Sequence, residues 1–141
     1  RVAPIDAALA DTAAFCEAYG VALEKSANCV VVAGKRGGDV RYAAVLVLAT
    51  DRADINGIVR RHLDVRKISF APMDEAVSLT GMEFGGITPL GLPGEWPVLV
   101  DSRVATAGAV VIGSGLRASK LLVEAGDLAA LPSAEVIDLA Q

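Results

Sequence analysis

The chain has 141 residues, 53% hydrophobic and 21% charged, which suits one domain with a sizeable core and is short for two. With 4% aromatic residues that core must be built from Val, Leu, Ile and Ala. A formal net charge of -4 argues against a protein that coats DNA or long stretches of any nucleic-acid backbone, because such binding rests on many phosphate contacts.

Arg1 to Ile5 reads as a short strand, held to an edge by Pro4. Asp6 to Tyr19 carries an apolar stripe at helical spacing, and Gly20 supplies its stop. The run Asn28 to Ala33 is short and rich in Val, so it predicts a buried strand. Gly34 to Gly38 turns the chain with a basic tip, and Tyr42 to Ala49 returns as the second arm of a hairpin. Capping residues at Thr50 to Asp54 precede a helix over Ile55 to Leu63. Lys67 to Ala71 is a strand, and Pro72 opens a helix over Met73 to Leu79. Strands follow at Trp96 to Asp101, Ala109 to Ile112, Lys120 to Val123 and Ala134 to Leu139, with a helical turn or two at Gly126 to Leu131. Hairpins mixed with short strand-helix-strand units, without even alternation, define an α+β class.

Cys16 and Cys29 stand in apolar patterns with no CxxC spacing and no nearby His, so they read as free, reduced thiols and support neither a disulfide nor zinc. There is no run of 18 apolar residues and no basic leader followed by an apolar segment, which predicts a cytoplasmic protein without a membrane anchor. The chain opens at Arg1 instead of Met, as an N-terminally trimmed chain does, and is read as a single domain over residues 1–141. His62, among Arg60 and Arg61, reads as a solvated residue. Arg60, Arg61, Arg66 and Lys67 form one basic cluster, and Arg117 with Lys120 another; both read most simply as solvated faces.

The stretch that organises the chain is Thr80 to Pro93, TGMEFGGITPLGLP, dense in Gly and Pro and without regular periodicity. Around Gly85, Gly86, Ile87, Thr88 and Pro89 such a loop can aim backbone N–H groups at a small ligand, as nests and oxyanion holes do. A buried structural turn is the competing reading, and spacing does not separate the two.

The order Phe70-Ala71-Pro72, Thr80-Gly81, Gly85 to Leu92, then Pro97-Val98-Leu99-Val100-Asp101 resembles the YbaK/EbsC family over most of the chain, from about Thr12 onward. That family includes the editing domain inserted in bacterial prolyl-tRNA synthetases and its free-standing relatives. The resemblance implies a mixed, barrel-like sheet with helices packed outside. It also implies an activity, hydrolysis of the ester of mischarged tRNA in trans, needing no metal and no organic cofactor. The implied partner is the acceptor end of an aminoacyl-tRNA, with an aminoacyl-tRNA synthetase as a further one.

On that resemblance Gly85, Gly86, Ile87, Thr88 and Pro89 position the ester carbonyl. Val30, Val32, Leu90 and Gly91 are expected around the substrate. Thr88 can bind ribose or a water, or satisfy its own turn. Asp101 can orient the loop or the substrate amine, or cap the turn at Ser102. Ser114 resembles a pocket-wall turn, with a surface turn as the alternative, and lacks the setting of a hydrolase nucleophile. The family usually carries a lysine on the strand after the first helix, and that position holds Asn28 here. Lys25, an odd offset away, points to the opposite face of a continuous strand. An amide offers donors and an acceptor but no charge, so two functions compete: a deacylase, and a module that binds aminoacyl-tRNA or an amino acid without cleaving it.

Overall fold

The computed structural model describes residues 1–141. Its strands are β1 (Val2–Pro4), β2 (Ala27–Arg36), β3 (Asp39–Leu48), β4 (Lys67–Phe70), β5 (Val98–Asp101), β6 (Ala109–Gly113), β7 (Ser119–Glu124) and β8 (Ala134–Ile137). Its α-helices are α1 (Thr12–Tyr19), α2 (Arg60–His62), α3 (Met73–Thr80), α4 (Ser102–Ala105) and α5 (Ala125–Ala129). The α+β class and the mixed sheet are as expected. One sheet runs β4-β2-β3-β5-β8, with antiparallel β4-β2-β3 and parallel β3-β5-β8 pairing; the other runs β1-β7-β6 and is antiparallel.

β3 is central because its sequence leaves it no wet face. Ala43 to Leu48 is buried throughout, as expected of a strand covered on both sides. Ala44, Leu46 and Leu48 pack with Val98, Val100, Val104, Ile112 and Leu128 on one face. Ala43, Val45 and Val47 pack with Ile55, Val59, Leu63, Leu99 and Leu139 on the other. Each fully buried Val or Leu contributes roughly 1.5–3 kcal/mol of transfer free energy.

The strands do not close into a barrel. β4 pairs with β2 only from Val32 to Lys35, and the backbone pairing between the two sheets is a single parallel bridge, Ser26 to Val111. Between those contacts one edge of β2 has no neighbouring strand, apart from the Ala71 N–H donated to the Val31 carbonyl (2.9 Å). Because alternate residues of a strand direct their backbone groups to the same side, Cys29 turns its N–H and C=O toward this opening.

Three elements differ from the sequence expectation for local reasons. The first helix is broken. Asp6 caps a 3-10 turn over Ala7–Leu9 by accepting from the Ala8 N–H (3.0 Å), and Asp11 is extended (φ -65, ψ 137) before α1 begins. The helix expected over Ile55 to Leu63 starts as a π-turn, Ile55–Val59, in which the Val59 N–H reaches back to the Asp54 carbonyl (3.1 Å) while the Asp54 side chain caps the Gly57 N–H (3.0 Å). α4 follows β5 directly and has no counterpart in the sequence reading.

Candidate active site

The gap left along β2 is a cavity of about 510 Å³. Its walls come from the start of α1 (Asp11, Thr12), the open edge of β2 (Ala27 to Val31), the end of β4 and the start of α3 (Phe70, Ala71, Met73, Ala76), the glycine-rich loop (Phe84, Gly85, Ile87), and the second sheet (Gly113, Lys120). A mainly apolar concavity with a few converging polar groups is the usual form of a small-molecule site. Phe70, Met73 and Phe84 are exposed at 62%, 57% and 45%, so the rim carries large apolar surfaces that nothing covers.

The loop lies against the second sheet because two glycines leave room for it. A Cβ at Gly86 would stand 2.7 Å from the Leu116 backbone, and one at Gly113 would stand 2.6 Å from the Ile87 carbonyl oxygen. Gly85 has φ +89, which favours glycine. Arg117 staples this region: its guanidinium donates to the Phe84 carbonyl (3.0 Å) and the Ala7 carbonyl (3.2 Å), and lies 3.7 Å from the Asp11 carboxylate.

Within the loop the N–H groups have unequal fates. Gly86 donates to the Glu83 carbonyl (2.9 Å), and the Thr88 N–H points at the Met82 sulfur (3.4 Å). The N–H groups of Gly85 and Ile87 have no acceptor in the protein, and both residues line the cavity. Across from them the Thr12 hydroxyl donates to the Asn28 side-chain oxygen. That bond fixes the amide and leaves its NH₂ without a protein acceptor, so Asn28 can donate to a ligand.

The other residues expected around the substrate are spread more widely. Val30 borders the cavity with Asn28 and packs against the same core cluster as Val32, which is fully buried and does not border the cavity. Thr88 and Pro89 are buried behind the loop, where the Thr88 hydroxyl makes no hydrogen bond, and neither borders the cavity. Leu90 packs on the core beside Leu92, and Gly91 is exposed with φ +77. Asp101 is 1% exposed and does not cap α4. Its Oδ1 accepts instead from the Leu139 and Ala140 N–H groups (3.1 and 3.3 Å), pinning the chain's last segment. The Ser114 hydroxyl bonds Ser119 Oγ (2.7 Å) and the Leu116 N–H (3.2 Å), which holds a turn. Lys25 donates to the Ala107 carbonyl (2.6 Å), outside the cavity. His62 pairs with Glu135, also away from it.

Lys120, read from sequence as part of a solvated basic pair, is 7% exposed and borders the cavity. Its ammonium lies 5.2 Å from the centre of the Phe15 ring. Burial pushes its pKa below the ordinary lysine value, against the opposing pull of Cys16 and Asp11, while Arg117 lowers it further. The strand pattern hides this residue: it shares a strand face with Leu122 and Glu124, both exposed, and only the packing of α1 covers that end. The Cys29 thiol packs into the core, and burial raises its pKa from 9.0 to about 12. No group of three or more His, Cys, Asp or Glu side chains is arranged to hold a metal ion, and no helix is long and apolar enough to cross a membrane.

Residues 6–131 match the aminoacyl-tRNA editing domain, and the chain belongs to that family. Membership in an aminoacyl-tRNA editing family implies, at a general level, aminoacyl-tRNA deacylation as the family's chemistry. Among solved structures it is similar to the hypothetical protein APE2540, with a TM-score of 0.87 and 23% identity over 100% of this chain and 91% of that one. It is also similar to a candidate trans-editing enzyme for prolyl tRNA synthetase, with a TM-score of 0.85 and 23% identity over 100% of this chain and 86% of that one.

Proposed function

We propose that the chain is a free-standing deacylase that hydrolyses the ester of a mischarged tRNA, with the ester seated in the cavity beside β2. The observation that carries this reading is the pair of unpartnered N–H groups, Gly85 and Ile87, in one wall of a mainly apolar cavity. Attack of water on the ester carbon places negative charge on the carbonyl oxygen. Fixed donors at that oxygen, in a site with little water, stabilise the charge, and one good donor is worth roughly 3 kcal/mol. Collapse then breaks the bond to the ribose oxygen, which leaves as a hydroxyl with a proton from the water. The products are free amino acid and uncharged tRNA.

Each wall has a task in this scheme. The free NH₂ of Asn28 donates to the substrate from the side opposite the loop. Val30, Ala71 and Ala76 surround the amino-acid side chain and reject those too large for about 510 Å³. Such a pocket sorts by exclusion, since one methylene is worth only about 1–3 kcal/mol. Phe70 and Phe84 at the mouth offer flat faces for the terminal base, a contact worth about 1–3 kcal/mol per base in other proteins. Recognition confined to the acceptor end is compatible with the acidic balance of the chain, because few phosphates are touched. Docking on a synthetase, cytoplasmic residence and the reading of the whole chain as one domain belong to the same proposal.

A second reading, a module that binds aminoacyl-tRNA or an amino acid without cleaving it, is favoured by Asn28 standing where the family lysine is expected. A screen of the parent and of Asn28→Lys against all aminoacyl-tRNAs separates the two. Turnover by the parent supports the deacylase. Turnover only by Asn28→Lys supports the module, and no turnover by either eliminates the deacylase.

A further inference from the structure

A buried ammonium without an acceptor is costly, since it has three donors to satisfy and a charge to keep hydrated. Lys120 is such a group: 7% exposed, on the cavity wall, and with no hydrogen bond or ion pair to the protein. Its nearest aromatic neighbour, Phe15, offers only a ring face, and the Asp11 carboxylate is turned to Arg117. The ladder sets its strand position beside the place where the loop docks. Lys120 is the register partner of Gly113, and Gly113 is the residue whose missing Cβ lets the Gly86 and Ile87 carbonyls press against the second sheet. The opposite wall holds Asn28, where the family charge is missing.

We infer that Lys120 is the cationic catalytic residue of this site, its ammonium delivered from β7 to the anion that forms on the ester carbonyl beside Gly85 and Ile87. The charge that relatives bring on the strand after the first helix thus enters the same cavity from the other sheet. This rests on the deacylase reading above. Lys120 stays protonated through the step. The water oxygen bonds to carbon, the bond from carbon to the ribose oxygen breaks, and the ribose oxygen takes its proton from water. Burial without a hydrogen-bond or ion-pair partner fits this role, because a lysine kept for packing would be outperformed by an apolar side chain of similar length.

The test is single-turnover deacylation of a mischarged tRNA that the parent cleaves, with Tm measured on every protein. Lys120→Met is expected to lower the cleavage rate by about 100-fold or more, to leave substrate affinity within a fewfold, and to keep or raise Tm. Lys120→Arg should retain part of the rate. Should Lys120→Met fail to fold, Lys120→Gln against Lys120→Arg makes the same comparison between polar side chains that differ in charge. A neutral variant within threefold of the parent overturns the inference and leaves the deacylase reading intact. Lost activity accompanied by a lower Tm in every neutral variant overturns it as well, since Lys120 is then structural. A parent that cleaves no aminoacyl-tRNA defeats the deacylase reading and the inference together, and that failure is visible before any variant is made.

Discussion

Gly86→Ala probes the loop without touching the cavity. Gly86 does not line the cavity, its N–H is already bonded to Glu83, and its φ is not in the left-handed region. Its new methyl would stand 2.7 Å from the Leu116 backbone, where ordinary contact begins at 3.4 Å, so the loop must retreat by 3.4 - 2.7, about 0.7 Å. Both sides of the contact are backbone, so no flexible side chain can absorb the shift. Overpacking of this kind costs about 1–3 kcal/mol, or a Tm loss of roughly 3–12 °C for a chain of this size. The effect on rate should be larger than this modest loss of stability implies. A misplacement near 1 Å of groups that position a reacting centre costs on the order of 100-fold, so kcat/KM for deacylation should fall by some tens of fold in protein that is still folded. Assays well below the new Tm, with circular dichroism as the control, give the comparison. Folded Gly86→Ala with the parent's kcat/KM would refute the claim that the placement of this loop sets the rate.

Two further outcomes follow from residues outside the loop. Asp101→Ala removes the acceptor of two N–H groups, and at about 1–3 kcal/mol for each donor left unmet, stability in urea should fall by roughly 2–6 kcal/mol with kcat/KM unchanged. Asp101→Asn, which keeps an oxygen there, should lose less. For Cys29 the folded pKa of about 12 lies above the reference 9.0, so above pH 9 the unfolded chain loses its proton first. Its contribution to stability is therefore fully present below pH 9 and is lost as pH rises toward 12. Relative to Cys29→Ala, the parent should lose about 1 kcal/mol between pH 9 and pH 10 in urea titrations. Equal slopes for the two proteins would contradict the burial of the thiol.

Much of the scaffold is legible in the residues because it rests on local patterns. The Val-rich arms Asn28 to Ala33 and Tyr42 to Ala49 could only be covered strands, and Gly20 and Gly81 end their helices with φ of 68 and 70. Glycine and proline likewise marked the loop as backbone chemistry. What they could not convey was which N–H groups are spent internally. Gly86 and Thr88 direct theirs inward while Gly85 and Ile87 do not, and that depends on the pairing with Glu83 and Met82. The open edge of β2 was equally hidden, since the extent of β4 pairing is set by where Pro72 starts α3 and not by anything within β2. Lys120 was missed for the same kind of reason. A lysine alternating with Leu122 and Glu124 reads as solvated until α1 is laid over it, and Asp101 reads as a cap until the last segment arrives to claim its oxygen.

The most direct test of the donor pair is a ¹⁵N–¹H correlation titration with a terminal adenosine whose amino acid is joined by an uncleavable amide. The N–H resonances of Gly85 and Ile87 should move downfield as the carbonyl binds, while Gly86 and Thr88, already committed to Glu83 and Met82, should stay nearly still. Saturable binding that leaves the Gly85 and Ile87 signals in place would contradict the account.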